Sequence, residues 1–170
     1  MQTQDVQLYS LSLRESKSFL VALAFIAGNI ALPQLCHLIP QGGLILLPIY
    51  FFTLVGAYKY GWQVGLLTAV ASPIVNSLLF GMPAYGMVPV ILIKSVLLAL
   101  SAGLMASYVR KVSLLSILAV VLIYQVLGGM AEWAIVGNIA APLQDFRLGL
   151  PGLLLQVVGG YLVIRYLIKK

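Results

Sequence analysis

The sequence predicts an all-α integral membrane protein, with six transmembrane helices in one domain and both termini in the cytoplasm. Composition sets the class, since 62% of the 170 residues are hydrophobic, only 8% are charged, and the mean hydropathy is +1.07. A water-soluble domain of this length has too little interior to hide so much apolar side chain, so lipid must solvate much of it. The span count follows from six apolar runs near the length a bilayer core demands, about 17–25 residues. Orientation follows from where the cations fall between those runs.

Residues 1–17 form a polar cytoplasmic segment (Gln2, Gln4, Asp5, Gln7, Arg14, Glu15). No small-residue cleavage site follows the first apolar run, so no cleavable signal peptide is expected. The membrane domain then covers residues 18–170. Its first span is 18–36, closed by Pro33 and by the turn formers Pro40-Gln41-Gly42-Gly43. The second, 44–58, is short. Only Lys59-Tyr60-Gly61 separates it from the third, 62–80, so a single re-entrant hairpin is the alternative for that pair. Gly81-Met82-Pro83 ends the third span. The fourth, 86–109, and the fifth, 112–136, meet at Arg110 and Lys111. A turn-forming stretch over 138–149 leads into the last span, 150–168.

With the N-terminus inside, the cytoplasmic side receives Arg14, Lys17, Lys59, Arg110, Lys111, Arg165, Lys169 and Lys170, and the outer side only Arg147. This bias is the positive-inside signature, and basic residues at both termini favour an even number of spans. The formal net charge of +6 therefore reads as an orientation signal, and no nucleic-acid partner is needed to explain it. Tyr50, Tyr58, Tyr60, Trp62, Tyr108, Trp133 and Tyr166 fall near predicted interfaces, where amphipathic rings settle. The single cysteine, Cys36, excludes an intrachain disulfide and any cysteine-rich metal site. His37 has no second histidine beside it, so no metal centre is expected.

Lys94 stands apart, because it lies in a run otherwise free of charge, where an ammonium is expensive. At about 1.5 Å of rise per residue it lies about 12 Å below the outer end of its span. Asn76, Glu132 and Gln156 also fall in outer halves, Gln34 and His37 lie at the outer mouth of the first span, and only Gln125 approaches the midplane. The inner halves are almost wholly Leu, Val, Ile, Ala and Gly, which predicts a cavity opening outward rather than a pore. Gln125 and Glu132, seven apart, share a helix face with Gly128 and Gly129 near it. Glycines there let a neighbouring helix or a ligand approach the backbone. Lys94 and Ser101 have the same spacing. Pro73 and Pro89 are expected to free backbone carbonyls near Asn76 and Lys94.

Three readings of Lys94 stay open: snorkelling to the outer headgroups, a structural ion pair with Glu132, or contact with a ligand. Asn76 and Gln125 read equally well as hydrogen-bonding glue between helices. Asp145 and Arg147 are expected to be solvated in the longest outer loop. In the first span Ala24, Gly28 and Ala31, with Ala27 beside them, form a stripe of small residues suited to internal packing or to a partner subunit.

One segment is more telling than the rest. Gly81-Met82-Pro83-Ala84-Tyr85-Gly86-Met87-Val88-Pro89, followed by Ala102-Gly103-Leu104-Met105, is similar to a Gly-x-Pro-Pro…Met-x-Pro stretch. With the length, the six spans, the inside termini and the small-residue first span, the whole chain resembles the S components of energy-coupling factor (ECF) vitamin and micronutrient transporters. The resemblance implies a multi-pass protein of the bacterial cytoplasmic membrane, serving as the substrate-binding subunit of an ABC-type importer. It implies capture of a vitamin-like small molecule from outside, in a pocket of spans four to six roofed by the loop between spans one and two. It also implies partners, namely a transmembrane coupling subunit and two ATPase subunits, and delivery by toppling in the lipid bilayer.

Carried onto this chain, the implied pocket comprises Lys94, Asn76, Gln125, Glu132, Trp133 and Tyr85. The gating loop would run from His37 to Gly43, mobile through Gly42 and Gly43, and the docking face would include Ala24, Gly28 and Ala31. No phosphate-cradling glycine loop ending in Lys-Ser/Thr occurs, so ATP hydrolysis is expected of the partners and the chain itself is not expected to be an enzyme. No covalently bound cofactor is expected.

In many such proteins an acidic residue stands near the position of Lys94, and here the sign is reversed. On charge alone Lys94 favours a substrate bearing a carboxylate or phosphate, such as lipoate, biotin or pantothenate. Glu132 beside Trp133 favours a cationic or hydrogen-bonding ring instead. If the two residues neutralise each other, neither preference survives. Competing functions are a structural protein of the cell-shape and cell-wall machinery, which would leave the outer polar cluster unexplained, and a stand-alone small carrier, for which internal repeats and midplane sites are expected. An intramembrane enzyme would need more than one histidine and one intramembrane acid.

Overall fold

The computed structural model describes residues 8–167. Seven α-helices carry the described chain: α1 (Ser16–Cys36), α2 (Gly42–Leu46), α3 (Phe51–Tyr60), α4 (Trp62–Phe80), α5 (Val88–Val109), α6 (Leu114–Val136) and α7 (Ala140–Leu162). Short 3-10 turns occupy Pro48–Tyr50 and Tyr85–Met87, α7 runs on as a π-helix over Val163–Leu167, and no strand occurs among the described residues. Helices α1, α4, α5, α6 and α7 are long and apolar enough to cross a membrane. The architecture is therefore that of a multi-pass membrane protein. At about 1.5 Å per residue the shortest of them reaches about 29 Å, close to the thickness of a bilayer core.

The predicted second span, 44–58, is not one helix. Leu47 has left-handed backbone angles (φ 46°, ψ 47°) and Pro48 offers no N–H, so the helical ladder cannot run through them. Helix α3 alone, ten residues long, covers about 15 Å. It lies inside the bundle, with Thr53 through Lys59 all buried, so it has no lipid-facing surface to span. Gly61 (φ 102°) turns the chain at once into α4, and the missing side chain of Gly65 lets the two helices meet at Ala57. The segment is thus a broken element buried among α1, α4, α5 and α7.

The last span also differs, since helix begins at Ala140, ten residues before the predicted start. The Asn138 side chain accepts from the Ala140 N–H at 2.9 Å. Pro142 falls in the first turn, where a missing N–H costs nothing. Pro89, likewise in the first turn of α5, breaks no ladder and so frees no carbonyl near Lys94, against expectation. The predicted ends of the fourth and fifth spans agree with α5 and α6 to within two residues, and Ile168, Lys169 and Lys170 lie outside the described residues.

Pro33 does create an orphan, because it cannot donate to the Asn29 carbonyl one turn back in α1. The Asn76 amide on α4 supplies the missing donor at 2.9 Å and also reaches the Ser72 carbonyl at 3.0 Å. The Asn29 amide in turn donates to the Thr53 hydroxyl at 3.0 Å and the Ser72 hydroxyl at 3.3 Å, and its oxygen accepts from the Phe52 N–H at 3.1 Å. One buried network thereby fixes α1, α3 and α4. We predict that Asn76→Ala lowers stability by about 1–3 kcal/mol, the cost of a buried acceptor left without a donor. Unfolding in detergent reads the effect, and an unchanged midpoint would mean that the Asn29 carbonyl finds another partner.

The registers give the bundle two distinct ends. Helices α1 and α4 run parallel, as the Asn29–Ser72 and Gln34–Asn76 contacts show, whereas α6 and α7 run antiparallel. At one end lie Lys59, Arg110 and Lys111. There the Tyr9 N–H donates to the Lys59 carbonyl at 2.8 Å and the Tyr58 hydroxyl to the Lys111 carbonyl at 2.8 Å. Ser113, in a capping box with Ser116, starts α6 beside them. The other end holds the Lys94 site.

Candidate functional site

Lys94 projects from α5 into the angle between α6 and α7. Its ammonium lies 2.6 Å from a Glu132 carboxylate oxygen and 2.5 Å from one of Asp145. Lys94 is 1% exposed and Glu132 2%, while Asp145 is 25% exposed and forms the open edge of the cluster. The stem reaches this position by crossing the α6 backbone at Gly128, where a Cβ would lie 2.6 Å from the Lys94 Cγ. Pro142 rests similarly on Gly129, which brings the first turns of α7 against α6. The predicted glycines between Gln125 and Glu132 therefore have a definite use: they make room for the lysine and for α7.

Of the three readings of Lys94, the geometry selects the ion pair and adds a second carboxylate to it. Snorkelling does not occur, since the ammonium points into the bundle. Asp145 is a correction, because the expectation of a solvated loop residue fails once α7 starts at Ala140. Its signal was present in the spacing: Asp145, Gly149, Gly152, Gln156 and Gly160 follow at four, three, four and four residues, one face of a helix. The three side chains carry one formal positive and two formal negative charges. An anionic substrate was expected because the ammonium looked uncompensated, and two carboxylates in contact with it remove that ground.

Deeper in the bundle lies a second polar layer. The Tyr124 hydroxyl donates to the Gln156 side-chain oxygen at 2.9 Å, and the Tyr124 ring packs against that of Tyr50 with centroids 5.6 Å apart. The Nε2 atoms of Gln125 and Gln156 are buried with no hydrogen-bond partner among the described residues, as is the Ser95 hydroxyl. By helical rise Gln125 lies about 10 Å below Glu132, and Gln156 about 16 Å below Asp145. Tyr50, Tyr124 and Gln156 join the candidate site although the implied pocket did not include them. Tyr50 had read as an interfacial anchor, and Tyr124 had not been singled out.

Other expected pocket residues do not meet here. Asn76 belongs instead to the Asn29 network that joins α1, α3 and α4. Trp133 and Tyr85 are 51% and 70% exposed on the outside of the bundle; Tyr85 lines a shallow surface cleft with Ile74, Leu78 and Val88. In the expected gating loop, His37 is exposed and lies over Gly43. Gly42 is wedged against the Cys36 carbonyl, so it serves a tight turn in this structure. Helix α2 then rests on α7, where a Cβ at Gly152 would lie 2.5 Å from the Leu46 carbonyl. On α1, Ala24 and Ala31 face outward, whereas Gly28 admits the Phe52 ring. Among the described residues no cluster of His, Cys, Asp and Glu could hold a metal ion.

Compared with protein families, with curated proteins and with solved structures, the chain matches none.

Proposed function

We propose that the chain is the substrate-capture subunit of an energy-coupling-factor importer, binding a vitamin-like small molecule where α5, α6 and α7 converge. In this reading the broken α2–α3 segment counts as the second of six spans, both termini are cytoplasmic, and the Lys94–Glu132–Asp145 end faces outward. The observation that carries it is the ion cluster itself. Three helices of an apolar bundle each contribute a charged group to one point; intramembrane charges mark functional sites by default, whereas a buried ion pair is weak evidence for stability. The unpartnered amides beneath the cluster support the same reading, since a buried donor without an acceptor awaits one. Helix α2 lies over α7 between Asp145 and Gln156, where a lid would have to be. The outward Ala24 and Ala31 suit close approach of the transmembrane coupling subunit, and the ATPase subunits would supply the energy.

The test is direct. The full chain, purified alone in detergent, is expected to retain a small molecule that mass spectrometry identifies after denaturation and that rebinds saturably. Failure to find saturable binding of any vitamin-like compound would sink the proposal.

A further inference from the structure

We infer that the ligand taken at this site is an organic cation carrying a hydrogen-bond acceptor on its far part, with Asp145 as its counter-ion. The inference rests on the capture reading and names the class of substrate.

Charge balance is the starting point. Lys94 and Glu132, both almost wholly buried, make a neutral pair at 2.6 Å. Asp145 is then an excess carboxylate that shares the same ammonium from the exposed edge. A net negative charge beside a buried ion pair attracts a cation to complete it at the exposed edge. No other described cation does so: Arg147, two residues after Asp145, stands about 200° round α7 and is exposed. An anionic ligand would have to approach two carboxylates to reach one ammonium already engaged by both.

The walls agree with this charge. The Tyr50 and Tyr124 rings pack together in the layer beneath the cluster, and aromatic faces attract organic cations. Gln125 shares the face of Glu132 and Gln156 the face of Asp145, each with a buried, unpartnered Nε2. They would donate to a carbonyl, hydroxyl or ring nitrogen on the deeper part of the ligand. A positive group beside Asp145 and an acceptor about 10 Å deeper at Gln125, or about 16 Å deeper at Gln156, describe the molecule this arrangement fits.

The experiment is a ligand panel against the purified full chain, read by thermal shift and then by titration. Thiamine and pyridoxamine serve as cationic probes, riboflavin and pyridoxine as neutral ones, and biotin, lipoate and pantothenate as anionic ones, together with any compound that co-purifies. Saturable binders are expected to be cationic, and Asp145→Asn is expected to weaken them by at least about thirtyfold while keeping the Lys94–Glu132 pair. Binders confined to the neutral or anionic compounds would overturn the inference and leave capture standing, as would a cation held equally well by Asp145→Asn. Absence of any saturable binder, co-purified compound included, would overturn the capture reading with it. Should Asp145→Asn fail to fold, the ranking of ligands by charge on the unaltered chain decides.

Discussion

Lys94→Met is expected to destabilise the protein by about 3–5 kcal/mol, the usual result of removing one partner from a buried ion pair. The loss comes less from the contacts themselves than from what they leave behind. Glu132 would remain 2% exposed with no cation beside it, and Asp145 would face it across the same gap. The triple variant Lys94→Met, Glu132→Gln, Asp145→Asn removes charge and countercharge together and is expected to recover most of the loss, because a matched apolar or neutral replacement avoids the desolvation penalty. Unfolding of the single, of the Glu132→Gln, Asp145→Asn double and of the triple variant in the same detergent measures these effects and closes the cycle that gives the coupling between the lysine and the two carboxylates. A single variant as stable as the parent would mean that the carboxylates escape to water when the lysine is gone. The triple variant also separates fold from function: it should be folded and should retain no ligand.

The parts of the fold that were legible in the sequence are those governed by a single local rule. Helices α4, α5 and α6 could be bounded from uninterrupted apolar length and from the Gly81-Met82-Pro83 and Arg110-Lys111 breaks. The second segment was half legible. Its shortness was plain, but a buried location for α3 depends on contacts with four other helices and leaves no periodic trace in ten mostly apolar residues. The start of α7 was misread because Asn138 and Pro142 are turn formers in general and helix-start residues only in context, while Gly149 lies within the helix. That one boundary decided whether Asp145 belonged to a loop or to the site. Glu132 and Lys94 could be paired from depth and charge, since an intramembrane lysine needs a partner. Asn76 was grouped with them on depth alone, and depth cannot tell which side of a bundle a residue faces. Its true partner, the Asn29 carbonyl, follows from Pro33 four residues later, a relation that a search for charged residues passes over.

The second large effect is expected from a single methyl group. Gly103→Ala should lower stability by about 3 kcal/mol or more, because its Cβ would lie 2.6 Å from the Trp62 Cα and 2.7 Å from the Trp62 nitrogen. Those are backbone atoms at the first turn of α4, so no side-chain rotation relieves the clash and one helix must move. Helix pairs in lipid depend on such close approach, since van der Waals contact replaces the hydrophobic force that water would supply. Gly86→Ala is the matched control, as nothing lies within 4 Å of its Cβ position, and its effect should stay within about 0.5 kcal/mol. The consequence reaches the site, because α5 carries Lys94 nine residues before Gly103, about 13 Å along the same rigid helix. A shift of α5 away from α4 alters where the Lys94 ammonium meets Glu132 and Asp145, two contacts no longer than 2.6 Å. Gly103→Ala should therefore reduce the amount of co-purified ligand per folded protein as well as the unfolding midpoint, whereas Gly86→Ala should change neither. Equal ligand occupancy in the two variants would show that the site is held by α6 and α7 independently of how α5 seats on α4.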